Sequence, residues 1–214
     1  IELDTNMIKI LKDRFNLYDN FILLNEDVLK VDLKELISKY SNKERKVKVV
    51  ANLPYYITTP IIMKLLEDKI NIDSITVMVQ KEVADRITAT PGDKLSGAIT
   101  YSVNYYAEAN NIAFVDKNSF MPVPEVDSEV IKIKIRNKSQ VDVENEELFF
   151  KIIKASFMQR RKTLVNGLIN SGIITDKNDI KNIFEEIGLN LEIRGEKLNL
   201  QQFAELSNLI GKTI

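Results

Sequence analysis

Val47-Lys48-Val49-Val50-Ala51-Asn52-Leu53-Pro54-Tyr55-Tyr56-Ile57-Thr58-Thr59-Pro60 reads as a buried strand, an exit turn and the start of a helix. Val47 to Ala51 is the strand, and Asn52-Leu53-Pro54-Tyr55 ends it. Thr59-Pro60 opens a helix through Leu66, with the proline in the first turn, where its missing N–H is harmless. The same alternation extends to both sides. Upstream, Thr5 to Phe15 is predicted helical, capped by Asp4 or Thr5, with Met7, Ile8, Leu11 and Phe15 on one stripe. Phe21 to Leu24 is a strand candidate ending at Asn25-Glu26-Asp27, and Asp32 caps a helix carrying Leu33, Leu36 and Ile37. Downstream, Ile72 to Val79 is a strand, Lys81 to Thr88 a helix, Leu95 to Asn104 a helix and Tyr105 to Val115 extended. Glu129 to Ile135 alternates apolar and polar residues and is expected to pair with that last segment in a hairpin. Strands alternating with crossover helices predict an α/β fold on a mostly parallel, doubly wound sheet.

The pattern changes at Arg136 to Glu147, which is polar and charged and reads as a linker. Beyond it the periodicity is helical: Leu148 to Asn170, Asp176 to Ile187 and Asn199 to Ile210, with Gly172, Gly188 and Gly211 after helix ends. Two domains are expected, the sheet over residues 1–137 and a small all-α domain over 145–214.

Composition narrows the chemistry. The 214 residues carry 30 Lys and Arg against 31 Asp and Glu, a net charge of −1, and no His, Cys or Trp. Without Cys there is no disulfide, thiolate nucleophile or Cys-zinc site. Without His there is no Ser-His-Asp triad, no His-ligated metal and no general base of ordinary pKa near neutrality. Chemistry here rests on carboxylates, amides, hydroxyls, aromatics or a cofactor, with no metal expected. The charge balance excludes a globally basic nucleic-acid binder but not a local patch. No apolar run reaches transmembrane length and no signal peptide is visible, so a cytoplasmic protein with no membrane partner is expected. Separately, a monomer is expected.

In a doubly wound sheet, ligands bind beyond the carboxyl ends of the strands. Glu2, Asp27, Asn52-Leu53-Pro54-Tyr55 and the loop before Glu129 all fall there. A strand-end carboxylate such as Glu2 suits ribose hydroxyls, and Asp27 suits an exocyclic amine. Either acid is also compatible with an ordinary cap, and the tetrapeptide with a plain strand-to-helix turn.

Asn52-Leu53-Pro54-Tyr55 resembles the Asn-Pro-Pro-Tyr or Asn-Leu-Pro-Tyr signature of adenine-N6 methyltransferases. The chemistry fits. The adenine amine is a poor nucleophile because its lone pair is delocalised into the ring. The Asn52 amide oxygen and a backbone carbonyl at Leu53 or Pro54 can each accept one N–H, directing the lone pair toward an incoming methyl. The donor is a sulfonium with a neutral leaving group, so the step needs orientation and electrostatics rather than a strong base. Tyr55 stacks on a base taken out of its helix.

Two further motifs follow in order. Phe120-Met121-Pro122-Val123-Pro124-Glu125-Val126-Asp127-Ser128 matches Phe-x-Pro-x-Pro-x-Val-x-Ser, and Phe157-Met158-Gln159-Arg160-Arg161-Lys162-Thr163-Leu164 matches Phe-x-x-Arg-Arg-Lys-Thr-Leu. Together with Asn52 to Ile61, they resemble the bacterial small-subunit ribosomal RNA adenine dimethyltransferases, the kasugamycin-resistance family, over nearly the whole chain. The resemblance implies a Rossmann-like methyltransferase sheet with a C-terminal helical domain and S-adenosylmethionine as cofactor. It implies dimethylation of N6 on two adjacent adenosines near the 3′ end of 16S rRNA, in the immature 30S subunit. It assigns the catalytic positions to Asn52, Leu53, Pro54, Tyr55 and Phe120, the last closing the other face of the base. Cofactor contacts fall on Glu2, Asp27, Val28 and Asn52. RNA contacts fall on Arg160, Arg161, Lys162, Lys154 and Lys151. On a continuous helix, Ile153, Phe157, Leu164 and Leu168 share one stripe, with the basic residues beside it. Arg160 falls within the stripe and is expected to be partly buried against a carboxylate such as Glu185, Glu186 or Glu196.

One departure stands out. The family's first strand and Gly-rich cofactor loop have no counterpart, and the chain opens Ile1-Glu2-Leu3-Asp4, like the tail of a strand. An upstream segment is therefore expected, and the chain alone is expected to bind S-adenosylmethionine poorly. The rival readings are a macrolide-resistance enzyme acting on large-subunit RNA, a DNA adenine methyltransferase and a non-catalytic rRNA-binding assembly factor.

Overall fold

The computed structural model describes residues 1–41, 46–159 and 161–214. At its centre is a four-stranded sheet of order β1-β2-β4-β3, built from β1 (Val47–Asn52), β2 (Ile72–Gln80), β3 (Ala107–Val115) and β4 (Ser128–Ile135). β1 and β2 are parallel, with Val49 opposite Ile75 and Asn52 opposite Met78. β2–β4 and β3–β4 are antiparallel. The expected hairpin is present, but the sheet is mixed rather than mostly parallel. β3 and β4 follow each other through one loop, so β4 returns antiparallel and inserts beside β2.

The pleat sorts the side chains. Ile75, Val77 and Val79 of β2, Ile131 and Ile133 of β4 and Ala107 of β3 are buried in one core. α3 (Thr58–Glu67), α4 (Lys81–Thr88) and α5 (Ala98–Tyr106) close that core with Ile61, Ile62, Leu65, Leu66, Ala84, Ile87 and Val103. The opposite face carries exposed Lys48, Val50, Lys132 and Lys134. Upstream lie α1 (Thr5–Arg14) and α2 (Leu33–Tyr40). Both start at aspartates, as anticipated: Asp4 accepts from the Asn6 N–H at 2.7 Å and Asp32 from the Glu35 N–H at 3.0 Å.

Two predicted strands do not form. Phe21 to Leu24 and Ile1 to Asp4 have no ladder; the Glu2 N–H donates to the Leu24 carbonyl at 2.9 Å. The Asn25 amide adds bonds to the Glu2 and Leu3 carbonyls. An apolar run carries strand propensity, but a strand needs a partner across which to bond.

The second core is helical. It joins α6 (Glu146–Met158), α7 (Leu164–Asn170), α8 (Lys177–Glu186) and α9 (Leu200–Thr213) through Phe149, Ile152, Ile153, Leu164, Leu168, Phe184 and Phe203. α5 belongs to both cores: Val103 faces the sheet side, while Tyr101 and Tyr105 enter the helical one. The predicted linker is tethered to the end of α5, since Arg136 and Gln140 donate backbone N–H groups to the Tyr106 and Tyr105 carbonyls. Val141 is buried in the helical core.

The single helix expected over Leu148 to Asn170 is in fact two. Thr163 caps α7 by accepting from the Asn166 N–H at 3.3 Å, and the Leu164 N–H leaves the helical pattern for the Ile193 carbonyl at 2.8 Å. α7 then folds back on α6. A Cβ at Gly167 would lie 3.1 Å from the Ala155 carbonyl oxygen, so the close crossing favours glycine.

Candidate active site

The Asn52-Leu53-Pro54-Tyr55 turn sits at the carboxyl end of β1, where the chain leaves the sheet for α3. The Leu53 side chain is buried in the sheet core and anchors the turn. Its neighbour Asn52 is exposed, and its amide has no hydrogen-bond partner among the described residues. The Pro54 carbonyl accepts from the Ile57 N–H at 3.1 Å and from the Thr58 hydroxyl at 3.2 Å. Both of its lone pairs are thereby engaged. Of the two carbonyls considered from sequence, the one at Leu53 is left as the available acceptor.

Two clefts share this turn as a common wall. The smaller, about 320 Å³, is lined by Asn52, Leu53, Pro54, Tyr55, Phe120, Pro122 and Pro124. All five positions that the motif comparison singles out for catalysis therefore meet in one place. The larger, about 690 Å³, holds Glu2, Asp27, Val28 and Asn52, the expected cofactor set. The adjacent tyrosines part company: Tyr55 lines the smaller cleft and Tyr56 the larger.

The larger cleft is acidic at its rim and apolar within. Glu2, Asp4, Glu26 and Asp27 contribute carboxylates, with Lys48 as a cation, while Leu33, Leu36, Val49, Val50 and Ile61 supply apolar wall. One Glu2 oxygen accepts from the Asp4 N–H at 2.8 Å, and one Asp27 oxygen accepts from the Leu29 N–H at 3.0 Å. The second Asp27 oxygen lies 3.8 Å from the Lys30 ammonium. Each carboxylate is thus oriented by backbone through one oxygen. Sequence reasoning missed Asp4 and Glu26 as lining residues; their only signal was adjacency to Glu2 and Asp27.

The basic residues lie elsewhere. Lys151 and Lys154 are exposed on α6, and Arg161 and Lys162 are exposed in the break between α6 and α7. They do not share one continuous helix, because Thr163 restarts the chain as a new one. Among the described residues none of the four forms an ion pair. Arg160 and its expected carboxylate pairing lie outside the described residues. Among the described residues no group of three or more acids is placed to hold a metal ion, and no helix is long and apolar enough to cross a membrane.

The mixed α/β sheet, with two clefts meeting at one strand end and a helical cluster after it, has the Rossmann-like fold of rRNA methyltransferases. The family model described as ribosomal RNA adenine dimethylase matches residues 1–212. The chain belongs to that family, and it is an enzyme. The ribosomal RNA small subunit methyltransferase A of Lachnoclostridium phytofermentans is 52% identical over 214 residues, covering 99% of this chain and 73% of its own length. That of Clostridioides difficile is 48% identical, covering 100% and 73%. Among solved structures, a dimethyladenosine transferase from Plasmodium falciparum matches with a TM-score of 0.71 at 24% identity, over 95% of this chain and 78% of the other. The 23S rRNA methyltransferase ErmE matches with a TM-score of 0.66 at 20% identity, over 98% and 80%. These last two likenesses show the fold.

Proposed function

We propose that the protein transfers methyl groups from S-adenosylmethionine to N6 of two adjacent adenosines near the 3′ end of small-subunit ribosomal RNA, acting in the cytoplasm as a monomer on the immature 30S subunit. The observation that carries this reading is the wall shared by the two clefts, with the Asn52 amide and the Leu53 carbonyl at the junction.

The larger cleft fits the cofactor. Glu2 and Asp27 offer acceptors to ribose hydroxyls and an adenine amine, Val28 and the apolar wall cover the base, and the rim of carboxylates favours a cation. When bound, S-adenosylmethionine supplies an electrophilic methyl on a positive sulfur and leaves as a neutral thioether. The chain's own residues do the rest. Tyr55 and Phe120 sandwich an adenine turned out of its stack. The Asn52 oxygen and the Leu53 carbonyl each hold one N–H of its amine, so that the nitrogen lone pair points toward the larger cleft. The nitrogen sheds its surplus proton to water after transfer, and no histidine is required. In the second round one N–H remains and one acceptor suffices to hold it.

Residues 1–137 then form the catalytic domain, and 145–214 the RNA-binding one. Lys151, Lys154, Arg161 and Lys162, none of them in an ion pair among the described residues, contact phosphates; Arg160 belongs to the same basic run. Replacing Arg161 and Lys162 together with Gln is expected to flatten the slope of log affinity against log salt by about 1–2 units in RNA-binding titrations. An unchanged slope would remove them from the interface.

The functional test incubates the intact gene product with methyl-labelled cofactor and immature subunits of both sizes. Label in dimethyladenosine of small-subunit RNA is expected. Label confined to large-subunit RNA would overturn the substrate assignment.

A further inference from the structure

Two consecutive residues at the start of β4 reach both aromatic walls of the smaller cleft. Ser128 is fully buried, and its hydroxyl lies 2.9 Å from the Tyr55 hydroxyl. Its backbone is fixed from both sides, paired with Gln80 of β2 and Val115 of β3. Asp127 precedes it. The Asp127 carbonyl accepts from the Lys81 N–H at 3.0 Å, at the head of α4. One Asp127 carboxylate oxygen accepts from the Lys117 N–H, also at 3.0 Å. Lys117 opens the single helical turn Lys117–Ser119 that delivers Phe120, whose N–H donates to the Lys117 carbonyl at 3.2 Å. One dipeptide, held by the sheet, therefore grips Tyr55 through one side chain and the approach to Phe120 through the other.

We propose that Asp127 and Ser128 are positioning residues that set the gap between Tyr55 and Phe120, and with it the fit of the cleft to a purine. This rests on the base-binding reading above. Tyr55 is 36% exposed and sits in the short turn Tyr55–Ile57. The Ser128 hydroxyl is the polar contact that holds the tip of its ring. Loss of that contact frees the ring among rotamers that narrow or widen the gap. The effect falls on the reacting geometry of bound RNA rather than on RNA affinity, which phosphate contacts dominate.

Ser128→Ala, Tyr55→Phe and the double variant of the intact gene product provide the test, each single change deleting one hydroxyl of the same bond. With immature small subunits, each is expected to lower kcat about tenfold with KM for the subunit within about twofold, and the double variant to be no worse than either single. Losses that multiply in the double variant, or kcat values equal to wild type, would overturn the proposal. Asp127→Asn keeps an oxygen for the Lys117 N–H and is expected to retain most activity; Asp127→Ala is not. An activity-independent readout is the aromatic NMR signal of the two rings. Ser128→Ala is expected to perturb and broaden Tyr55, and Asp127→Ala to do so for Phe120. Unperturbed rings would defeat the proposal even if methylation is confirmed, and perturbed rings uphold it even if the RNA substrate proves different.

Discussion

Asn52→Ala is expected to lower the methyl-transfer rate by roughly 10²–10³-fold, the range seen when one oriented polar group is removed from a site of developing charge. Folding stability is expected to change by less than about 0.5 kcal/mol. The two effects separate because the Asn52 side chain is exposed and has no partner within the described protein, so the folded chain loses no contact with it. The reaction loses more. With the Pro54 carbonyl engaged by Ile57 and Thr58, the Asn52 oxygen and the Leu53 carbonyl are, of the three acceptors the turn offers among the described residues, the two left to hold an amine. Removing one lets the nitrogen rotate its lone pair back into the ring. Asn52→Asp keeps an accepting oxygen and is expected to retain more activity than the alanine variant. Single-turnover transfer with labelled cofactor measures the rate, and calorimetry of cofactor binding runs beside it because Asn52 lines both clefts. Wild-type turnover by Asn52→Ala would take the residue out of the reaction.

The candidate site rests on motifs and local chemistry that are legible in the sequence. The strand at Val47, its exit turn and the Phe120 loop are short-range patterns, and the structure brings their side chains into one cleft. Asp4, Asp32, Asp176 and Asn199 all cap helices where sequence placed starts, because capping depends on residues only two or three positions apart. What failed needed distant partners. Phe21 to Leu24 has strand composition but no ladder. The break at Thr163 was hidden because Leu164 and Leu168 are buried as a continuous helix would bury them; the departure lies in the Leu164 N–H, which bonds Ile193 about thirty residues away. The Tyr55–Ser128 contact spans 73 positions and leaves no periodic trace. Sequence patterns report which face of an element is apolar; they do not report which backbone or hydroxyl group will meet it from elsewhere.

The largest expected loss of stability lies at Tyr101, on α5, which both cores share. The ring is fully buried, 5.0 Å edge-on from Phe203 and 5.3 Å from Phe157. Its hydroxyl donates to the Leu198 carbonyl at 2.6 Å and accepts from the Gly92 N–H at 3.0 Å. It thus ties the turn before α5 to the turn before α9. Tyr101→Ala is expected to cost about 3–5 kcal/mol through the cavity it leaves. Tyr101→Phe keeps the packing but strips the partner from a carbonyl and an N–H, at about 1–3 kcal/mol. Denaturant unfolding monitored by circular dichroism gives both values. Alkali distinguishes the hydroxyl from the ring. Burial pushes the Tyr101 phenol above the ordinary tyrosine range, with Ser96 and the Gly92 N–H pulling the other way. Tyr105 and Tyr106 are raised too, burial first and Glu146 among the further causes. An unfolded tyrosine releases its proton near pH 10, roughly, while these hold theirs to higher pH in the native state. Above that point the native chain binds more protons than the unfolded one, so stability falls as pH rises. Tyr101→Phe lacks one of the three groups, and its stability is expected to fall less steeply, so that its curve converges on that of the wild type above about pH 10. Parallel curves would show that the phenol is hydrated in the folded protein and would overturn the burial reading of its hydroxyl.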